Sequence, residues 1–186
     1  MDNAAARFSQ SEHAAILKFV RGVIAANLAG ENLPARPEIA LLAEPGSCFV
    51  TLHDADGELR GCIGNIEAFE PLGENLIRNA LNAAFSDPRF PPLDPEELPE
   101  ISLEVSILTP PRTIASPAEF RVGTDGIILR VGGRGAVFLP QVAPEQGWDR
   151  ETTLAYLSRK AGLPSDGWRS PEARFALFQA EVFSEA

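Results

Sequence analysis

The chain has 186 residues, 45% of them hydrophobic and 23% charged, with 26 acidic residues against 16 basic ones and a net charge of −10. This length and apolar content suit one globular domain with room for two lobes and exclude a disordered chain. The negative balance argues against a general nucleic-acid or anionic-membrane binder, although arginines spread along the chain leave room for a local basic patch.

Ser9 and Glu12 have capping-box spacing, and Leu17, Val20, Ile24 and Leu28 then recur at helical intervals until Gly30. Lys18 and Arg21 interrupt this apolar stretch. It therefore reads as neither a signal peptide nor a membrane span, and the cytoplasm is the expected compartment. Pro34, Pro37 and Pro45 mark an irregular connection with one short apolar run, residues 39–42. Residues 48–53 and 59–63 alternate about Asp56-Gly57, a strong hairpin signal. Pro71 opens a helix that reaches about Phe85, with Leu72, Leu76, Ala80, Ala83 and Ala84 on one side.

Residues 87–99 carry five prolines and read as a stiff, extended strap. Ile101, Leu103, Val105 and Ile107 alternate with Ser102, Glu104 and Ser106, the cleanest strand in the chain. A second hairpin is expected from residues 126–131 and 136–139 about Gly132-Gly133-Arg134-Gly135, which lacks the setting of a nucleotide-binding loop. Asp149 caps a helix over residues 150–161, with Trp148 as a packing residue at its entrance. Residues 174–183 read as one last strand. Hairpins mixed with helices predict an α+β fold, a mostly antiparallel or mixed sheet with flanking helices, over residues 1–186 as a single domain.

Five segments then stand in order: Leu59-Arg60-Gly61-Cys62-Ile63-Gly64, Asp87-Pro88-Arg89-Phe90-Pro91-Pro92-Leu93, Glu104-Val105-Ser106-Ile107-Leu108-Thr109, Phe138-Leu139-Pro140-Gln141-Val142 and Gln146-Gly147-Trp148-Asp149. In that order and spacing the chain resembles the AMMECR family over residues 14–183. The resemblance implies an intracellular α+β protein without an assigned activity. Many prokaryotic members are similar to protein A of the AmmeMemoRadiSam set, which suggests a Memo-like protein and a radical SAM enzyme as partners, by association. Ser158 stands where many relatives carry cysteine, so no thiol role is expected on that helix.

A two-residue turn at Asp56-Gly57 pairs His53 with Arg60 and Thr51 with Cys62, placing all four side chains on one face. Cys62 then lies near a permanent cation and a titratable ring, both of which favour a thiolate. Gly61 and Gly64 leave space for close approach, and with Asn65 and Arg89 they complete a candidate cleft for a small, acidic ligand. Glu104 faces away from its strand's apolar row and is a candidate partner for Arg60. The catalytic candidates are thus Cys62, Arg60, Glu104 and His53. Each also has a plainer reading: an inert buried cysteine, an arginine paired with Glu104 or Glu58, a surface carboxylate, an exposed histidine, and glycines that serve only packing. Two histidines and two cysteines without ligand spacing predict no zinc site, and no cofactor is implied. Two functions follow: an accessory or adaptor protein presenting the Cys62 cleft, or an enzyme with Cys62 as nucleophile or redox thiol.

Overall fold

A computed structural model describes residues 7–185. It is α+β, with two four-stranded sheets, and its contacts separate into two compact units. One comprises the chain up to Leu108 together with the segment from Glu181 onward; the other is Thr109–Ala180.

The first unit is built on helix α1 (Gln10–Ala29), strands β1 (Cys48–His53) and β2 (Leu59–Gly64), helix α2 (Leu72–Phe85), strand β3 (Ser102–Leu108) and the last strand, Ala180–Ser184. The predicted capping box at Ser9 and Glu12 is present at the start of α1, and Gly30 ends it with φ +66°. The sheet order is β2, β1, β3 and then the last strand, so β1 is central and β2 is an edge. Cys48, Val50 and Leu52 alternate inward from β1 with no exposed surface, as do Leu103 and Val105 from β3. They meet Ile16, Val20, Val23 and Ile24 of α1 and Leu72, Leu76, Ala80 and Ala83 of α2 in one apolar core. Burying side chains of this size contributes about 1.5–3 kcal/mol each relative to exposure.

The second unit contains β4 (Arg112–Ile114), β5 (Gly126–Val131), β6 (Arg134–Phe138), the single turn α3 (Val142–Glu145), α4 (Arg150–Lys160) and β7 (Arg174–Phe178), the remaining strand Ala180–Ser184 becoming β8. Its sheet runs β4, β7, β5, β6. Ile127, Leu129, Leu154, Leu157, Phe175 and Leu177 form its core. Asp149 caps α4 through the Thr152 N–H at 2.8 Å. Ser158 is fully buried and internally satisfied: its hydroxyl donates to the Leu154 carbonyl and accepts from the Trp168 N–H, both at 3.0 Å.

Four local expectations are corrected. The expected last strand is two, β7 and β8, which join different sheets on either side of Gln179. The second hairpin turns on Gly132-Gly133 alone, with Val131 opposite Arg134, because Gly132 at φ +58° closes the loop early. The proline strap is not extended throughout: the Phe90 N–H returns to the Asp87 carbonyl, and Glu97 and Glu100 close two further turns. The first hairpin has a longer loop, because the Asp54 carboxylate gathers the N–H groups of Asp56 and Glu58. Its register accordingly shifts between Leu52 and His53, so His53 faces Leu59, not Arg60. Among the described residues no helix is long and apolar enough to cross a membrane.

Candidate functional site

Beyond that bulge the ladder follows the expected register, with Thr51 opposite Cys62 on β2 and opposite Glu104 on β3. One row across three strands therefore carries Cys62, Thr51 and Glu104. It faces away from the helices, because the neighbouring row of Gly61, Leu52 and Leu103 packs toward α2. His53 lies on the Thr51 face two residues along, opposite Ser102.

The main-chain groups of Cys62 are held by two side chains from the start of the strap. Its N–H donates to Asp87 Oδ2 at 2.9 Å, and its carbonyl accepts from Arg89 Nη2 at 3.1 Å. Both groups thus point outward from β1, making Thr51 and Cys62 the closer type of antiparallel pair. Consistently, the Thr51 hydroxyl donates to Cys62 Sγ at 3.3 Å. Asp87 and Arg89 occupy the edge hydrogen-bonding positions where another strand would otherwise add.

Asp87 is almost completely buried and accepts two further hydrogen bonds from the Arg89 guanidinium, at 3.0 and 2.7 Å. That guanidinium is the main reason its carboxyl sits well below the usual carboxylate range; burial opposes it, and the N–H groups of Cys62 and Arg89 add to it. The same pairing raises Arg89, to which Cys62 contributes in lesser degree.

Arg60 is buried on the bulge. Its partner is Glu97 from the strap, not Glu104 or Glu58: Nε and Nη2 donate to the two carboxylate oxygens at 2.8 and 2.9 Å. Glu97 raises Arg60 and is itself held below its ordinary range by Arg60. Arg60 Nη1 is buried without an acceptor among the described residues. The guanidinium carbons of Arg60 and Arg89 lie 5.9 and 5.4 Å from the Phe90 ring centroid.

The remaining sequence candidates have defined neighbours. A Cβ on Gly61 would meet the Ala83 carbonyl oxygen at 2.3 Å, and one on Gly64 would meet the Phe49 ring at 2.3 Å, so helix and ring fill those spaces. Asn65 Oδ1 accepts from Asn75 Nδ2 at 2.8 Å and from Arg78 and Asn79 at 3.0 Å. Asn75 and Asn79 are fully buried one turn apart on α2, and they bind the Cys48 N–H and carbonyl at 3.0 Å each. The i, i+4 spacing of two asparagines beside the Leu72 and Leu76 face was the available signal for this network, and sequence reasoning passed over it. The sequence likewise shows Asp87 only as the first residue of the proline-rich strap. Both cysteines are free, and burial pushes the Cys48 thiol up to about 12. Among the described residues, no group of three His, Cys, Asp or Glu side chains is placed to hold a metal ion.

The AMMECR1 family model matches residues 17–183. Protein MK0488 of Methanopyrus kandleri is 45% identical over 164 residues, covering 84% of this chain and 79% of its own length. A protein of Methanothermobacter thermautotrophicus is 44% identical over 188 residues, 97% of each. The crystal structure of the uncharacterized protein PH0010 from Pyrococcus horikoshii is similar with a TM-score of 0.86 at 36% identity, covering 97% of this chain and 94% of that one. The chain belongs to the AMMECR1 family.

Proposed function

We propose that this protein is an accessory or adaptor protein that presents the Leu59–Gly64 strand, with Asn65 and Arg89 at its margin, to a small ligand or to partner proteins. The partners suggested by the family resemblance are a Memo-like protein and a radical SAM enzyme. One observation supports binding over thiol chemistry: the guanidinium on the Cys62 strand and the one bonded to its edge are already matched to carboxylates, Arg60 to Glu97 and Arg89 to Asp87. A nucleophilic thiol relies on a free cation or base to hold its thiolate, whereas these ion pairs give the strand a fixed, charge-balanced shape.

The test is co-purification of the chain with a co-expressed Memo-like protein and radical SAM enzyme. Cys62→Ser should leave the complex intact, while Arg60→Met and Arg89→Ala, checked by circular dichroism for folding, should weaken it at least tenfold. Loss of the complex in Cys62→Ser alone, or indifference to both arginines, refutes this reading.

A thiol-dependent enzyme is the second reading, favoured by the Thr51 hydroxyl that donates to Cys62 Sγ at 3.3 Å. In it Cys62 attacks, Thr51 steadies the sulfur, and Glu104 and His53 stand on the same face. It requires that Cys62→Ser abolish turnover while folding is retained.

A further inference from the structure

The family-type segments at residues 138–142 and 146–149 play no part in the Cys62 site, and both contribute to a different feature in the second unit. Phe138, at the end of β6, lies 5.8 Å from Trp148 in a tilted contact. Trp148 stacks on Tyr156 of α4 at 4.2 Å with only 2° between the ring planes. A cation flanks each outer ring: Lys160 Nζ is 4.8 Å from the Phe138 centroid, and the Arg159 guanidinium carbon is 5.4 Å from that of Tyr156. Tyr156 is 41% exposed, so the ladder ends at solvent. Arg134 joins the group through its 2.5 Å hydrogen bond to the Gly162 carbonyl, as does Lys160 through the Val137 carbonyl at 2.9 Å.

Helix electrostatics explain cations in the last turn of α4. They do not explain a parallel pair of large rings beside them, one half-buried and the other exposed. The net charge of the chain is also unevenly divided. Residues 109–180 carry nine basic against seven acidic side chains, a balance of +2, so the acidity that argues against polyanions belongs to the other unit.

We infer that the face formed by β6 and α4 is a binding surface for a single-stranded nucleic acid: a base extends the stack at Tyr156 as the Arg159 side chain moves from the ring to a phosphate, and Lys160 and Arg134 neutralise the adjacent phosphates. Flat rings next to cations suit a base with its phosphate, since every base offers a π-face and the contact tolerates any sequence. An acidic protein segment would use the cations and leave the rings idle.

The experiment follows the fluorescence anisotropy of labelled ten-nucleotide oligouridylate, and of its oligodeoxythymidylate counterpart, as the full chain is added. With about three phosphates neutralised, affinity should fall roughly 20-fold between 50 and 200 mM salt. Tyr156→Ala should weaken binding roughly five- to hundredfold, and Tyr156→Phe should restore it. Arg159→Gln, a surface change that keeps the rings, should weaken binding and reduce the salt slope by about 0.7. Stronger binding of one oligonucleotide identifies RNA or DNA as the occupant. The inference is overturned if neither oligonucleotide binds at 50 mM salt, or if Tyr156→Ala and Arg159→Gln leave binding unchanged. Equally tight binding of polyglutamate of matched charge also overturns it, in favour of an acidic protein partner.

Discussion

The buried carboxylate of Asp87 holds the backbone N–H of Cys62 at 2.9 Å across 25 residues of sequence. The strap after α2 is thereby tied to the edge strand at the one residue whose thiol lies beside Thr51. Arg89 closes the clamp by binding both the Asp87 carboxylate and the Cys62 carbonyl. Two hydrogen bonds from two side chains do for this edge what a neighbouring strand does elsewhere in the sheet.

Asp87→Asn should therefore be costly. It replaces a buried anion that accepts from Cys62 and Arg89 with an amide whose NH₂ faces donors, and a loss of about 2–4 kcal/mol is expected. The effect depends on pH. The folded-state acidity of Asp87 is displaced below its unfolded value, so its contribution is fully present above the unfolded pKa of about 3.9 and is lost as pH falls toward the folded value. Urea midpoints of the wild type and the variant should differ most at pH 7 and converge steadily below about pH 4. A gap that stays constant down to pH 3 would show that Asp87 acts through shape and not charge.

The two thiols should separate cleanly in reactivity. Cys48 is fully buried, bonded to Asn75 and Asn79, and its thiol is pushed up to about 12 by burial. Cys62 is only half-buried. Iodoacetamide at pH 8 should label Cys62 in the folded chain and spare Cys48 until denaturant is added, as read by peptide mass spectrometry. Labelling of Cys48 first would contradict the packing of α2 on β1.

The hairpin and helices of the first unit were legible because capping residues, turn residues and period-two alternation agree with one another at Ser9, Asp56-Gly57 and residues 101–107. The register at Arg60 was not. Sequence shows Asp56-Gly57 but not that the Asp54 carboxylate would enlarge the loop, and one extra residue is enough to separate His53 from Arg60. Partner choice was equally hidden: Glu97 reaches Arg60 only because the strap turns twice, which five prolines do not disclose. Nor does an alternating run beyond Arg174 reveal that its halves serve different sheets.

Glycine substitutions should distinguish a packed glycine from an open one. At Gly61 an added Cβ would lie 2.3 Å from the Ala83 carbonyl oxygen, a backbone atom in the last turn of the packed helix α2. Gly61→Ala should cost about 1–3 kcal/mol or more through overpacking. Gly133→Ala, where no atom lies within 4 Å, should stay within about 0.5 kcal/mol of wild type. Thermal melts of both variants suffice, and similar melting for the two would mean that α2 is free to shift away from β2.

The buried asparagines should be coupled to each other more than to the clamp. Asn75 Oδ1 accepts from the Cys48 N–H at 3.0 Å and from Asn79 Nδ2 at 2.9 Å, while Asn79 Nδ2 also reaches the Cys48 carbonyl. Asn75→Leu leaves the buried Cys48 N–H unpaired, and Asn79→Leu leaves the Cys48 carbonyl only the Asn65 N–H at 3.3 Å, each at a cost of about 1–3 kcal/mol. Once one is replaced the network is already broken, so the second replacement should cost less than it does alone. A double-mutant cycle read by urea denaturation should therefore give a coupling of about 0.5–3 kcal/mol between Asn75→Leu and Asn79→Leu. The cycle between Asn79→Leu and Asp87→Asn, which share no partner in the structure, should close within about 0.5 kcal/mol. Equal coupling in both cycles would mean that the start of β1 and the edge of β2 respond as one unit, and that the Cys62 strand can be perturbed from the contact between α2 and β1.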